Sequence, residues 1–333
     1  MAEKDKFNST ILCSQLKRIA KSNNQKSWST KRTYMAELNK LCRDLYIKFQ
    51  VQKIENIKNI HIKSLIEDYI DKGTSIAEIK KRLAALRWAI NYQQAWLYSK
   101  NSKKRCRFTL TNKELGLGQK QFKQRYGIDY DSFCTLLNVM SKHSNAKVNR
   151  NIAKLQYYFG LRSREAVLMN SRTLCNALDT STLIIKEGAK GGRTRKLTLD
   201  KKQLAVIHEI LADMAPKHKD DYLFVDKSIK GNVASRLKSY QCFYYNHRHE
   251  LPCTLNPHEY EHISSHTLRR SFASNQLIKY RKRYDEKVAR EKVITDLGHG
   301  KHRTELIKCY CGGVMWVKLK NSIIKIFSYY ITF

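Results

Sequence analysis

Apolar residues recur at intervals of three and four along much of the chain, the period of a helix that buries one face. Between Ser29 and Phe49 the series Tyr34, Leu38, Leu41, Leu45 and Phe49 forms one such stripe, and a second, shorter helix fits Ile62 to Ile70. Ser75-Ile76-Ala77-Glu78 has the spacing of a capping box and opens a third helix, with Ile76, Ile79, Leu83, Leu86 and Ile90 on one face. Residues 100–127 lose the apolar period, gain charge and hold three glycines, which marks a connection. Helical spacing returns from Asp129 to Leu168. Leu183-Ile184-Ile185 and Lys196-Leu197-Thr198-Leu199 flank the turn-like GAKGGRTR and predict a β-hairpin. Asp200 then caps a helix with Leu204, Ile207, Leu211 and Met214 on one face, stopped by Pro216. The pattern predicts a mainly helical α+β chain in two domains: a helical N-terminal domain over 1–105, a basic linker over 106–127, and a helical domain with a small β-sheet over 128–333.

Charge narrows the partner class. The 333 residues include 64 Lys+Arg against 29 Asp+Glu, a formal charge of +35. Such a charge opposes compaction unless a polyanion offsets it, and 42% apolar residues are too many for a disordered basic tail. A folded nucleic-acid binder is expected. Lys80, Lys81 and Arg87 of the third helix are candidate phosphate contacts, although solvating a helix face is the ordinary role of such residues. Nine irregularly spaced cysteines, with no secretory signal, read as free thiols in a reducing compartment. The apolar C-terminal stretch is interrupted by Lys318, Lys320 and Lys325, so no spanning helix and no membrane partner are expected. The expected location is cytoplasmic and nucleoid-associated.

Candidate chemistry lies in four separated stretches of the second domain. They are GLRSRE (160–165), AKGG (189–192), HTLRR (266–270) and LGH (297–299), the last followed by Tyr310. Each has a plain structural reading. Arg162 and Glu165 are spaced as an ordinary helix-surface pair, Lys190 as a solvated turn lysine, and His266 and Arg269 as groups on one helix face behind a cap at Ser265. Taken together they supply cations, hydrogen-bond donors and an oxygen nucleophile, an inventory suited to phosphoryl transfer without a metal.

In order and interval these boxes resemble the tyrosine recombinase (phage integrase) family, of the type found as integrases of mobile elements. That family carries an Arg in G-L-R-x-x-E, a Lys in a β-hairpin turn, an H-x-x-R box, an L-G-H box and then a nucleophilic Tyr. The resemblance implies a helical core-binding domain followed by the tyrosine recombinase catalytic domain. It implies a site-specific recombinase that cleaves and rejoins duplex DNA through a 3′-phosphotyrosyl intermediate, with staggered cleavage coordinated in a homo-tetramer and accessory DNA-bending proteins as possible partners. By the same resemblance Tyr310 attacks the scissile phosphate, and Arg162 and Arg269 bind its nonbridging oxygens. His266 is the general base or hydrogen-bonding partner, Lys190 the general acid, His299 a donor to the phosphate, and Glu165 a supporting residue. The covalent intermediate conserves the energy of the phosphodiester, so no ATP, metal or other cofactor is expected. His299 and Tyr310 lie eleven positions apart, against about nine usual in the family. Tyr280 and Tyr284 are rival nucleophiles but precede the L-G-H box. Cys309 and Cys311 flank Tyr310. The tail after Gly313 is expected to pack on a neighbouring protomer or to complete the chain's own core.

Two alternatives stay open. One is a catalytically inactive DNA-binding regulator of the same fold. The other is a zinc hydrolase, because His258-Glu259-Tyr260-Glu261-His262 is a literal H-E-x-x-H in a histidine-rich stretch. That stretch lacks an amphipathic period and has no third-ligand motif after it.

Overall fold

Burial of the apolar stripes divides the chain into two units, Met1–Lys120 and Gln121–Phe333. The computed structural model describes residues 10–22, 27–99, 108–118, 124–189, 192–216, 218, 220–256, 259–300 and 303–312. Lys190 and the tail 314–333 lie outside the described residues. Among the described residues, no helix is long and apolar enough to cross a membrane.

In the first unit, α1 (Ile11–Ser22), α2 (Trp28–Phe49), α3 (Asn59–Asp71) and α4 (Ile76–Ser99) pack around a shared core. The sequence pattern did not predict α1, yet Leu12, Leu16 and Ile19 are fully buried at helical spacing. Ser27 starts α2 by accepting a hydrogen bond from the Thr30 amide. The capping box at α4 is half formed: Ser75 Oγ accepts from the Glu78 amide at 3.2 Å, but the Glu78 carboxylate turns to Arg82 at 2.8 Å. Ile76, expected on the apolar face, is 42% exposed in the first turn.

Residues 108–118 pack on this unit, with Phe108 and Leu117 buried in its core. Here the candidate phosphate contacts find internal partners. Arg87 donates to Asn112 Oδ1 at 2.9 Å and to the Leu110 carbonyl at 2.8 Å. Lys80 donates to the Gly118 carbonyl, and Lys81 lies 3.1 Å from the buried Glu37.

The second unit contains α5 (Tyr130–Ser141), α6 (Ala146–Phe159), α7 (Ser163–Val167), α8 (Ser171–Thr180), β1 (Thr182–Ile185), β2 (Arg195–Thr198), α9 (Lys201–Met214), α10 (Asn232–Asn246), α11 (Ser265–Arg281), α12 (Glu286–Asp296) and α13 (Ile307–Tyr310). The helical stretch read over Asp129–Leu168 is thus three helices. It breaks before α6, where Asn145 has φ 60°, and after α6, where Gly160 has φ 62°. Asp200 caps α9 as expected, in a reciprocal box with Gln203. The cap of α11 is Ser264 rather than Ser265, and its amide donates to Thr267 Oγ1 at 2.9 Å.

The predicted hairpin is present. β1 and β2 pair antiparallel with Leu183 opposite Leu197 and Ile185 opposite Arg195. Residues facing each other across a ladder share a face, so Arg195 points inward with Leu183, Ile185 and Leu197.

Two central helices, α6 and α11, position the site. Gln156 of α6 is fully buried; its Nε2 donates to the Leu161 carbonyl at 3.3 Å and to Ser163 Oγ at 3.2 Å, and its Oε1 accepts from Tyr240 at 2.7 Å. This network fixes the turn from Gly160 to Ser163. A Cβ at Gly160 would lie 2.3 Å from the Phe272 ring of α11, and the backbone there is left-handed. Gly160→Ala is therefore expected to cost about 2–4 kcal/mol in urea unfolding, since strain and overpacking act together.

Candidate active site

Glu165 is the anchor of the candidate site. Its side chain has no solvent exposure, and it accepts from Arg162 Nη1 at 2.5 Å, from the Arg162 amide at 2.8 Å and from Arg195 Nη2 at 2.8 Å. Arg269 Nη1 lies 3.8 Å from the same carboxylate. Burial alone would raise the Glu165 pKa, but the guanidiniums of Arg195, Arg269 and Arg162 outweigh it and hold the carboxyl below its usual range. Three guanidinium groups thus share one carboxylate, and the cluster keeps excess positive charge beside the Tyr310 ring.

Backbone carbonyls complete the cage. Arg195 donates to the carbonyls of Gly160, at 3.2 Å, and Asp296. Arg269 is completely buried, donates to the carbonyls of Gly160 and Leu297, and leaves its Nε without a hydrogen-bond partner among the described residues. Burial first, and then repulsion from Arg195 and Arg162, push the Arg269 pKa down to about 9, so it stays charged at neutral pH. Arg162 Nη2 reaches the Leu297 carbonyl at 3.5 Å. These carbonyls belong to two sharp turns, Gly160 and Leu297–Gly298, and Gly298 has φ 68° with Arg195 Cδ packed where a Cβ would stand.

His299 follows that second turn. Its Nε2 lies 3.2 Å from the Tyr310 hydroxyl, and the Tyr310 ring stands 5.8 Å from the Arg269 guanidinium carbon. Burial, with Arg269, Arg162, Arg303 and Arg195 nearby, lowers the His299 pKa to about 4, so the imidazole is neutral at pH 7. The unfolded ring titrates near 6.5 and the folded one near 4, so the unfolded state binds more protons between these values. The contribution of His299 to stability is complete above about pH 6.5 and is lost as the pH falls towards 4. NMR titration of the free protein is expected to find the His299 ring neutral down to about pH 5, and a normal histidine titration there would contradict the burial-and-charge account.

His266 occupies the first turn of α11. Its ring reaches the surface, although surrounding protein and the cations Arg270, Arg269 and Arg162 lower its pKa. The histidine touching the tyrosine hydroxyl is therefore His299, not His266. Arg164 is exposed, whereas Arg162 faces Glu165, in keeping with the G-L-R-x-x-E register. Among the rivals, Tyr280 donates to Asp296 Oδ2 at 2.7 Å, and burial and that carboxylate raise its pKa; Tyr284 lies under Lys292 at 4.5 Å. Cys311 is buried, which lifts its thiol pKa to about 12 and leaves it unreactive, while Cys309 is half-buried.

In the sequence Arg195 reads as one more basic residue of the hairpin turn. Its signal is alternation, because it stands two residues before the inward-facing Leu197. The zincin reading fails on local structure. Residues 259–264 are not helical, Glu261 pairs with Arg125 at 2.6 Å, and His262 forms a bridge with Cys253. His258 lies outside the described residues.

The Phage integrase family model matches residues 128–291, and the Phage integrase, N-terminal model matches residues 10–95. The first match includes Arg162, Lys190, Arg195, His266 and Arg269, and ends before His299 and Tyr310. No curated protein matches the chain. Among solved structures, the Tn1549 transposon integrase in complex with transposon right end DNA superposes with a TM-score of 0.61 at 12% identity, covering 94% of this chain and 99% of its own. The XerH site-specific recombinase bound to difH gives 0.58 at 21% identity, covering 89% and 80%. A lambda integrase dimer bound to a core site gives 0.57 at 16% identity, covering 92% and 79%. With both halves of the chain matched by the family models, the protein belongs to the phage integrase family and is a tyrosine-type site-specific recombinase.

Proposed function

We propose that Tyr310 is the nucleophile that cleaves DNA. Its oxygen attacks the scissile phosphorus, the bond from phosphorus to the 5′-oxygen breaks, and the product is a 3′-phosphotyrosyl link with a free 5′-hydroxyl. A second DNA strand's 5′-hydroxyl reverses the step. The observation that carries this reading is the 3.2 Å contact between His299 Nε2 and the Tyr310 hydroxyl beside the arginine cluster.

The residues divide the work by their chemistry. Arg162, one-fifth exposed, receives a nonbridging oxygen first. Arg269 stands behind it and needs its carbonyl partners to give way before it touches phosphate. Glu165 and Arg195 hold both in place. The neutral His299 accepts the hydrogen bond of the phenol. With a pKa near 4 it is a poor base in the free protein. An incoming phosphate offsets the guanidinium charges, raises that pKa and makes the imidazole basic when substrate is present. His266, at the mouth of the site, donates to the phosphate, and Lys190 protonates the leaving 5′-oxygen. No step requires a metal or ATP.

Lys81 and, once freed from Gly118, Lys80 contribute phosphate contacts from the first unit. Arg87, held by Asn112 and Leu110, serves chiefly to fix residues 108–118. The two-domain division read from the sequence fits a pair of modules that both contact DNA, but residues 108–118, read there as part of a linker over 106–127, belong to the first module because Phe108 and Leu117 are buried in its core. Recombination between two sites requires more than one protomer, and a homo-tetramer satisfies that requirement; accessory bending proteins and a mobile-element source belong to the same proposal, as does work at the nucleoid.

The test is a suicide substrate nicked near the crossover site, incubated with the protein in excess chelator. An SDS-resistant protein–DNA adduct is expected. DNA binding with no adduct would favour the inactive regulator, and an activity abolished by chelator would contradict the metal-free step.

A further inference from the structure

A second cluster of chemistry-bearing side chains lies away from the arginine cage. His143 sits in the turn between α5 and α6, and His247 and Glu250 follow the end of α10. One donor atom from each, an imidazole nitrogen from both histidines and a carboxylate oxygen, lies within 4.8 Å of the other two. His143 Nε2 is 3.0 Å from Glu250 Oε2, and His247 Nδ1 is 3.0 Å from Glu250 Oε1. The two imidazole rings approach to 3.7 Å between centroids.

We propose that His143, His247 and Glu250 bind a zinc-class divalent ion. Two imidazoles and a carboxylate are a donor set zinc accepts readily, with a fourth position left to water. In a tetrahedral site with bonds of about 2.0–2.1 Å, neighbouring donor atoms stand about 3.3 Å apart, close to the 3.0 Å from each histidine to the carboxylate; the two rings must turn apart for both nitrogens to meet one ion. The rings are also held in place. Phe243, buried in the core, packs against His247 at 4.9 Å and against His143 at 5.9 Å. Fixing ligand orientation in advance is what separates a site from a chance meeting of surface histidines.

The ion has a structural consequence. His143 and His247 are far apart in the chain, so one ion ties the turn before α6 to the end of α10. Helix α6 bears Gln156, which fixes the Arg162 turn, and α10 bears Tyr240, its hydrogen-bond partner. A clamp between the two helices therefore stiffens the support of the arginine cage without supplying any group to the reaction.

The experiment uses the full chain, with any affinity tag removed, stripped of metal by chelator and exchanged into metal-free buffer. Cobalt(II) is added as a spectroscopic probe and zinc by calorimetric titration. One equivalent is expected to bind, with a visible ligand-field band for cobalt and a rise in melting temperature of a few degrees for zinc. His143→Ala and His247→Ala are expected to abolish the band. Glu250→Gln, which keeps the shape but not the charge, is expected to weaken binding at least about tenfold. The double variant His258→Ala/His262→Ala is expected to bind as the wild type does. Binding that survives His247→Ala, binding lost in the His258/His262 variant instead, or no stoichiometric binding at all would overturn the proposal and leave the three residues as a hydrogen-bonded pair of histidines on one carboxylate.

Discussion

Tyr310→Phe is expected to eliminate the covalent adduct while leaving DNA affinity within about twofold of the wild type. The substitution removes one oxygen and keeps the ring that packs beside His299 and Arg269, so the arginine cage keeps its shape and its charge. What disappears is the hydroxyl that meets the His299 imidazole, on a ring that stands beside the Arg269 guanidinium. Loss of a nucleophile whose role no neighbour can fill lowers the cleavage rate by at least about 10⁴-fold. Tyr280→Phe and Tyr284→Phe are expected to retain adduct formation, because the first hydroxyl is committed to Asp296 and the second stands under Lys292. Gel analysis of suicide-substrate reactions under denaturing conditions separates these outcomes. A persistent adduct in Tyr310→Phe would move the nucleophile elsewhere.

Glu165→Gln is the second large effect. The carboxylate is the shared counter-ion of Arg162, Arg195 and Arg269, and the last two are almost completely buried. Removing its charge while leaving the guanidiniums in place strands buried cations that repel one another. Breaking such a buried ionic cluster from one side costs about 3–5 kcal/mol. Hydrogen exchange in peptides that contain Gly160 and Arg195 is expected to show a drop of that size in opening free energy, with cleavage lost in parallel. A loss below about 1 kcal/mol would mean that the carbonyls of Gly160, Asp296 and Leu297 hold the arginines unaided.

The route from sequence to site was uneven for physical reasons. Boxes such as G-L-R-x-x-E and H-x-x-R are local, and short spacing alone puts Arg162 beside Glu165 and His266 beside Arg269. Convergence of these boxes is a tertiary matter. It depends on the left-handed turns at Gly160 and Gly298, which bring the carbonyls of residues 160 and 297 to the same guanidinium. That explains why the roles of the two histidines could be assigned only by resemblance, and why the contact to Tyr310 falls to His299. Arg195 is not distinguished in the sequence because a basic residue in a basic hairpin carries no contrast, and only the strand register shows it facing the core. Helix α1 adjoins a polar N-terminal stretch that masks its stripe, although its buried positions have a helical period. The break at Lys142–Asn145 has neither glycine nor proline, since asparagine supplies the left-handed residue there. For Lys80 and Arg87 the sequence showed charge but not that residues 108–118 fold back to engage it.

The most direct test of the central claim is identification of the residue joined to DNA. A suicide-substrate adduct is trimmed with nuclease, digested with protease and sequenced by tandem mass spectrometry. The account predicts a nucleotide remnant attached through phosphate to Tyr310, in protein kept in chelator throughout. A remnant on Tyr280, Tyr284 or any serine, or cleavage that leaves no protein-bound phosphate, would contradict it.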